Sequence, residues 1–256
     1  MKNSVRRYDL GIALASEVQL KLLPELGRFT LLEMHGELLD EMRCKVTDFS
    51  GFERIIVREM APGKVINGLA EVSLGVKNDF FALFTRRCAV MEQYNISRGV
   101  LGIDLEAVCR DSAFAAGIAD VFRCCCGIAA RYRIELGLEY RIPGFSSEVW
   151  SAVQKFRKLV GCQFFTMIDF HPHESGSLDA LAELEGKMPF DSALWRIAFD
   201  GSSGNYPGSE VIRRVDNAVH RNSWRMPEVI YAPGQWADRE VYIALADKIF
   251  ASDTDE

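Results

Sequence analysis

The stretch CQFFTMIDFHPHE, residues 162–174, begins largely apolar and carries its acids and histidines only towards its end, where Asp169, His171 and His173 occupy alternate positions. Side chains of an extended strand alternate between faces, so the three project the same way while the strand holds; Pro172 ends that geometry and leaves His173 the least constrained. An apolar front half with polar groups at the carboxyl end suits a strand of a closed parallel barrel. There the interior is packed and the functional groups gather where the strands stop.

The same shape recurs along the chain. Strands are expected at 8–14, 29–35, 54–60, 99–105, 134–140, 164–170, 194–200 and 228–233. Between them lie segments with helical spacing of apolar residues, at 112–132, 146–161, 208–222 and 237–250, with weaker ones at 16–27, 38–47, 77–95 and 177–186. Eight strands alternating with helices predict a single (β/α)8 TIM barrel over residues 1–256, with an acidic tail that frays at 251–256. An open doubly wound sheet is the alternative, but the first turn has no Gly-x-Gly-x-x-Gly phosphate loop to support it. The connection over 60–79 is longer than an ordinary strand-to-helix loop and is expected to cover the barrel mouth.

Composition narrows the functional classes. With 256 residues and 48% hydrophobic content the chain can build a large core, which argues against disorder. A net charge of −6 opposes a nucleic-acid surface, and no apolar run of bilayer length is evident, which argues against a membrane. The opening residues read as a first strand instead of a signal peptide. Seven cysteines without a spaced Cys-x-x-Cys pair read as reduced packing residues, and the cytoplasm is the expected location.

Several strands become charged only at their carboxyl ends. Glu33 and His35 end the second, Arg58 and Glu59 the third, Asp104 and Glu106 the fourth, Glu139 and Arg141 the fifth, Asp169 and His171 the sixth, and Asp200 the seventh. Trp236 follows the eighth and is placed to stack on a ligand or to pack beneath its loop. Carboxylates converging on a dry mouth repel unless cations compensate. A divalent ion held by carboxylates and imidazole is one solution, and Arg58 and Arg141 as internal counter-ions are the other.

The order of these motifs resembles the xylose isomerase-like barrels, the group of sugar isomerases, sugar epimerases and the second family of apurinic endonucleases. YRIELGLEYRIPG (132–144) is similar to that family's fifth strand through Glu139, and FFTMIDFHPHES (164–175) to its sixth through Asp169. LLEMH (31–35) is similar to its second strand through Glu33, and WRIAFDGSSGNYPG (195–208) to its seventh. The resemblance implies a divalent metal (Mn, Zn or Mg) on Glu139, Asp169 and His171. It also implies catalytic carboxylates at Glu139 and Glu33, and a carbohydrate-like substrate near His35, Arg58, Asp104, Arg141, His173, Asp200 and Trp236. The family's seventh-strand histidine would fall near Ala198, and its eighth-strand glutamate within 229–233, where no carboxylate exists. Pro172 stands where the sixth-strand histidine usually does, between His171 and His173.

Two functions follow. One is a sugar or hydroxy-carbonyl isomerase or epimerase using carboxylate acid–base chemistry, possible with or without a metal. The other is a catalytically degenerate barrel that binds a carbohydrate-like ligand or a partner without turnover. The family resemblance also implies a homo-oligomer, although no segment marks an interface.

Overall fold

In the computed structural model, eight parallel strands close into a barrel in sequence order, β1 (Asp9–Leu14), β2 (Leu31–His35), β3 (Arg54–Arg58), β4 (Arg98–Gly102), β5 (Glu135–Ile142), β6 (Phe165–Phe170), β7 (Leu194–Ala198) and β8 (Glu228–Ala232). The seam closes where Asp9 to Ile12 of β1 pair with Glu228 to Tyr231 of β8, which rules out the open sheet. The structure describes residues 9–42, 47–61, 63–70, 73–142, 147–173, 194–199, 212–214, 217, 228–234 and 237–251.

The described helices are α1 (Glu17–Leu20), α2 (Gly36–Met42), α3 (Gly63–Gly68), α4 (Leu74–Gln93), α5 (Leu105–Arg110), α6 (Ser112–Arg131), α7 (Ser147–Val160) and α8 (Arg239–Ala251). The helix expected at 177–186, most of that at 208–222, and the tail at 252–256 lie outside the described residues. Two local expectations change. The fourth strand stops at Gly102 because Asp104 is the N-cap of α5, its side chain accepting from the Ala107 N–H at 2.9 Å. The long connection after β3 contains α3 and the start of α4. By length and hydropathy α6 would suffice to cross a membrane, contrary to the sequence expectation, but it buries Ile118, Val121, Phe122 and Cys125 in the core.

Packing separates into two apolar clusters. The larger contains the outward faces of the strands and the helices that cover them. The smaller, Ala13, Leu31, Ile56, Val100, Phe165, Met167, Leu194, Ile230 and Ala232, follows the opposite parity on every strand but β5, which contributes none, and fills the lumen. Gly137 makes room for one member, since a Cβ there would meet the Phe165 ring at 2.3 Å.

Charged residues of the same parity close the lumen at both ends. At the amino-terminal end Arg54 bonds Asp9 and Glu228, and Arg98 donates to Glu228 at 2.6 Å while lying 5.4 Å over the Phe165 ring. At the carboxyl-terminal end stand Glu33, Arg58, Glu139, Asp169 and Arg196. The interior is therefore an apolar plug between two ionic layers.

Candidate functional site at the barrel mouth

The upper ionic layer alternates acids and guanidiniums. Arg58 donates from Nε and Nη2 to the two oxygens of Glu139, each at 2.6 Å, a fork-on-fork pair between β3 and β5. Arg196, from the middle of β7, donates from Nε to Glu33 Oε1 at 2.9 Å and from Nη1 to Asp169 Oδ1 at 2.7 Å. Arg58 Nη2 also lies 3.8 Å from Asp169 Oδ2, which links the two halves.

Two histidine–carboxylate pairs sit above this ring. His171 Nε2 lies 2.7 Å from Asp169 Oδ2, and His35 Nε2 lies 3.1 Å from Glu59 Oε2. Side-chain exposure grades the layer: Asp169 and Glu33 are sealed at 3% and 4%, Glu139, Arg58 and Arg196 reach 12–15%, and the histidines about a quarter. A molecule entering the mouth meets the second and third groups. Glu33 lies below, and its Oε2 is buried with no hydrogen-bond partner among the described residues.

The acids are driven in opposite directions. Burial pushes the Glu139 carboxyl above its ordinary range, against the pull of Arg58 and with a contribution from the charge of Asp169. Burial acts the same way on Asp169, but Arg196, the His171 hydrogen bond and Arg58 outweigh it and hold that carboxyl well below the usual range. For Arg58 and Arg196 burial opposes the charge, yet the surrounding carboxylates hold both firmly protonated. The hydrogen bond from His35 lowers Glu59.

Of the residues singled out in the sequence, the structure brings Glu33, His35, Arg58, Glu139, Asp169 and His171 together. Asp104 caps a helix instead, and His173 is exposed with its ring 5.8 Å from that of Phe199. Asp200 and Trp236 lie outside the described residues, as does the side chain of Arg141. One member was missed. Arg196 stands mid-strand in LWRIAFD and shares its face with Ala198 and the lumen-facing Leu194. Glu59 was expected with Arg58 at the end of the third strand but was given no role; a left-handed backbone brings it back to the same network as its neighbour.

The donor set does not fit the divalent ion that the resemblance implies. Both oxygens of Glu139 accept from Arg58, and those of Asp169 are engaged by Arg196 and His171. Ala198 and Ala232 end β7 and β8, where the histidine and second glutamate would be needed. No cluster of three metal-ligating side chains exists among the described residues. The physical reason is charge: two guanidiniums already supply the two positive charges a divalent ion would bring, and they would repel it. Of the described cysteines Cys88 and Cys125 are buried and pack in the core, whereas Cys109 and Cys124 are exposed and do not.

The fold is shared with solved barrels of low sequence identity. A D-psicose 3-epimerase crystallised with D-fructose is similar over 96% of this chain and 98% of its own, at 14% identity and a TM-score of 0.62. A xylose isomerase domain protein from Alicyclobacillus acidocaldarius covers the same shares at 11% identity and 0.60. A probable 3-DHS dehydratase from Bacillus anthracis is similar over 94% and 98%, at 10% identity and 0.57. No protein-family model and no curated protein matches the sequence. The chain thus shares the (β/α)8 fold of these solved barrels, with a mouth neutralised by arginine.

Proposed function

We propose that this barrel binds a small carbohydrate-like molecule at its carboxyl-terminal mouth and needs no divalent metal ion to do so. The observation that carries this reading is the interleaving of Arg58 and Arg196 with three carboxylates. Such a ring offers fixed donors beside fixed acceptors, the pattern that neighbouring hydroxyls of a sugar match, and its charges are balanced before a ligand arrives. The net charge of −6 favours a small molecule over nucleic acid.

A second reading, isomerase or epimerase chemistry, is favoured by the opposite acidities of Glu139 and Asp169. Carboxyls whose environments push them apart divide into a proton carrier and a permanent anion. Glu139 would take a proton from carbon beside a carbonyl and return it, while Arg58 and Arg196 offset charge on the enediolate oxygen. Glu33 would serve as the fixed acceptor that holds Arg196.

Thermal-shift measurements with D-psicose, D-fructose, L-ribulose and D-tagatose, with and without EDTA, test the first reading. A ligand at about a hundred times its Kd stabilises the folded state by about 2.7 kcal/mol. Stabilisation that persists in EDTA and is lost in Arg58→Met is the expected result. No response to any sugar, or a response abolished by EDTA, contradicts it. Proton–deuterium exchange into a stabilising sugar, lost in Glu139→Gln, separates the second reading from simple binding.

A further inference from the structure

Glu59 is one of three described non-glycine residues with positive φ, at 52°. The other two, Asn95 and Arg133, follow the carboxyl ends of α4 and α6, where a left-handed residue is an ordinary helix terminator. Glu59 ends no helix. It follows β3 at the barrel mouth, and a bulky side chain in that region of backbone space is strained.

The surroundings hold this conformation from several sides. The Glu59 carbonyl packs against Gly36 so closely that a Cβ there would lie 2.2 Å from its oxygen. The next residue, Met60, donates its N–H to the Val100 carbonyl at 3.2 Å. Its carbonyl accepts from Arg87 Nη1 at 2.7 Å, and that buried arginine is anchored in turn on Asp40. An extended Glu59 would point away from Arg58. The left-handed turn instead sets its Oε1 3.0 Å from Arg58 Nη1 and its Oε2 3.1 Å from His35 Nε2. The Glu37 N–H faces His35 Nδ1 at 3.4 Å, so Nδ1 accepts and Nε2 carries the proton given to Glu59.

We propose that Glu59 is a positioning residue of the mouth, held in strained backbone so that its carboxylate locks His35 in the Nε2–H tautomer and braces the Arg58 fork on Glu139. The proposal rests on the mouth being a ligand site for its purpose, but its geometry is testable without a ligand. Strain is read by comparing two variants that both lack the carboxylate. Glu59→Gly melts a few degrees above Glu59→Ala, the reverse of their order at an unstrained site, because glycine accepts positive φ without penalty. The tautomer is read from the 15N resonances of the His35 ring: wild type shows protonated Nε2, and both variants show a larger share of protonated Nδ1, because only the long 3.4 Å contact with the Glu37 N–H then opposes it. Glu59→Ala melting at or above Glu59→Gly removes the strain, and an unchanged His35 tautomer removes the positioning role. If no sugar binds the wild type while both results hold, the positioning stands and only the proposed ligand class fails.

Discussion

Arg196→Met is the most direct test of the ionic layer. Methionine keeps much of the apolar stem of the arginine and removes its charge. The wild-type guanidinium holds Asp169 and Glu33, whose side chains are 3% and 4% exposed, so solvent screening offers little relief when it goes. Removing one partner from a buried ion network typically costs about 3–5 kcal/mol, because the remaining charge is left desolvated and unpaired. That is roughly a hundred- to several-thousand-fold in the unfolding equilibrium. For a chain of this size it lowers the melting temperature by roughly 6–20 °C. Urea unfolding followed by circular dichroism, with refolding checked, measures it. The defect also has a sign in pH. An uncompensated buried carboxylate costs most when ionised, so the deficit shrinks as the pH falls toward the carboxylate range. Replacing the group together, as Glu33→Gln, Asp169→Asn and Arg196→Met, costs less than the single change because no lone charge is left behind. A loss under about 1 kcal/mol for Arg196→Met, or a deficit independent of pH, would refute the account of the mouth as a charge-balanced ring.

Two other outcomes follow from the same structure. The folded-state pKa of Asp169 is held below its unfolded-state value, so its contribution is complete above an unfolded carboxylate pKa of about 3.9 and is lost as pH falls further. Wild-type stability should therefore fall more steeply than that of Asp169→Asn below about pH 4, as read from urea midpoints across pH. Gln19, buried at 2%, accepts from the Ala15 N–H at 2.7 Å and donates to the carbonyls of Gly234 and Ala237 at 3.1 and 3.0 Å, tying the loops after β1 and β8. Gln19→Ala leaves those buried groups unpaired and is expected to cost about 1–3 kcal/mol in the same assay.

Strand content and strand order were legible because burial writes itself locally. A segment such as FFTMIDF must be apolar where it lines a packed barrel and can be polar only where it stops, and the observed β6 runs Phe165–Phe170. The expectation that Glu33 and His35 share a face, and likewise Asp169 and His171, came from the two-residue period alone. That same period carried no information about which face was inward. Arg196 was passed over for Asp200 because, in an isolated strand, a mid-strand arginine between tryptophan and isoleucine has no partner in view.

The partners lie far off in sequence. Arg58 meets Glu139 across 81 positions, and Arg196 meets Glu33 across 163. Only closure of the barrel, with each strand displaced against the next, sets these side chains at one height in one lumen. The local pattern of apolar and polar residues determined that a closed β/α barrel with a charged mouth would form. Which charges would neutralise one another, and therefore whether room was left for a metal ion, was decided by the register of strands distant in the chain. Electrostatic energy depends on distances in space, and alternation along a strand does not encode them.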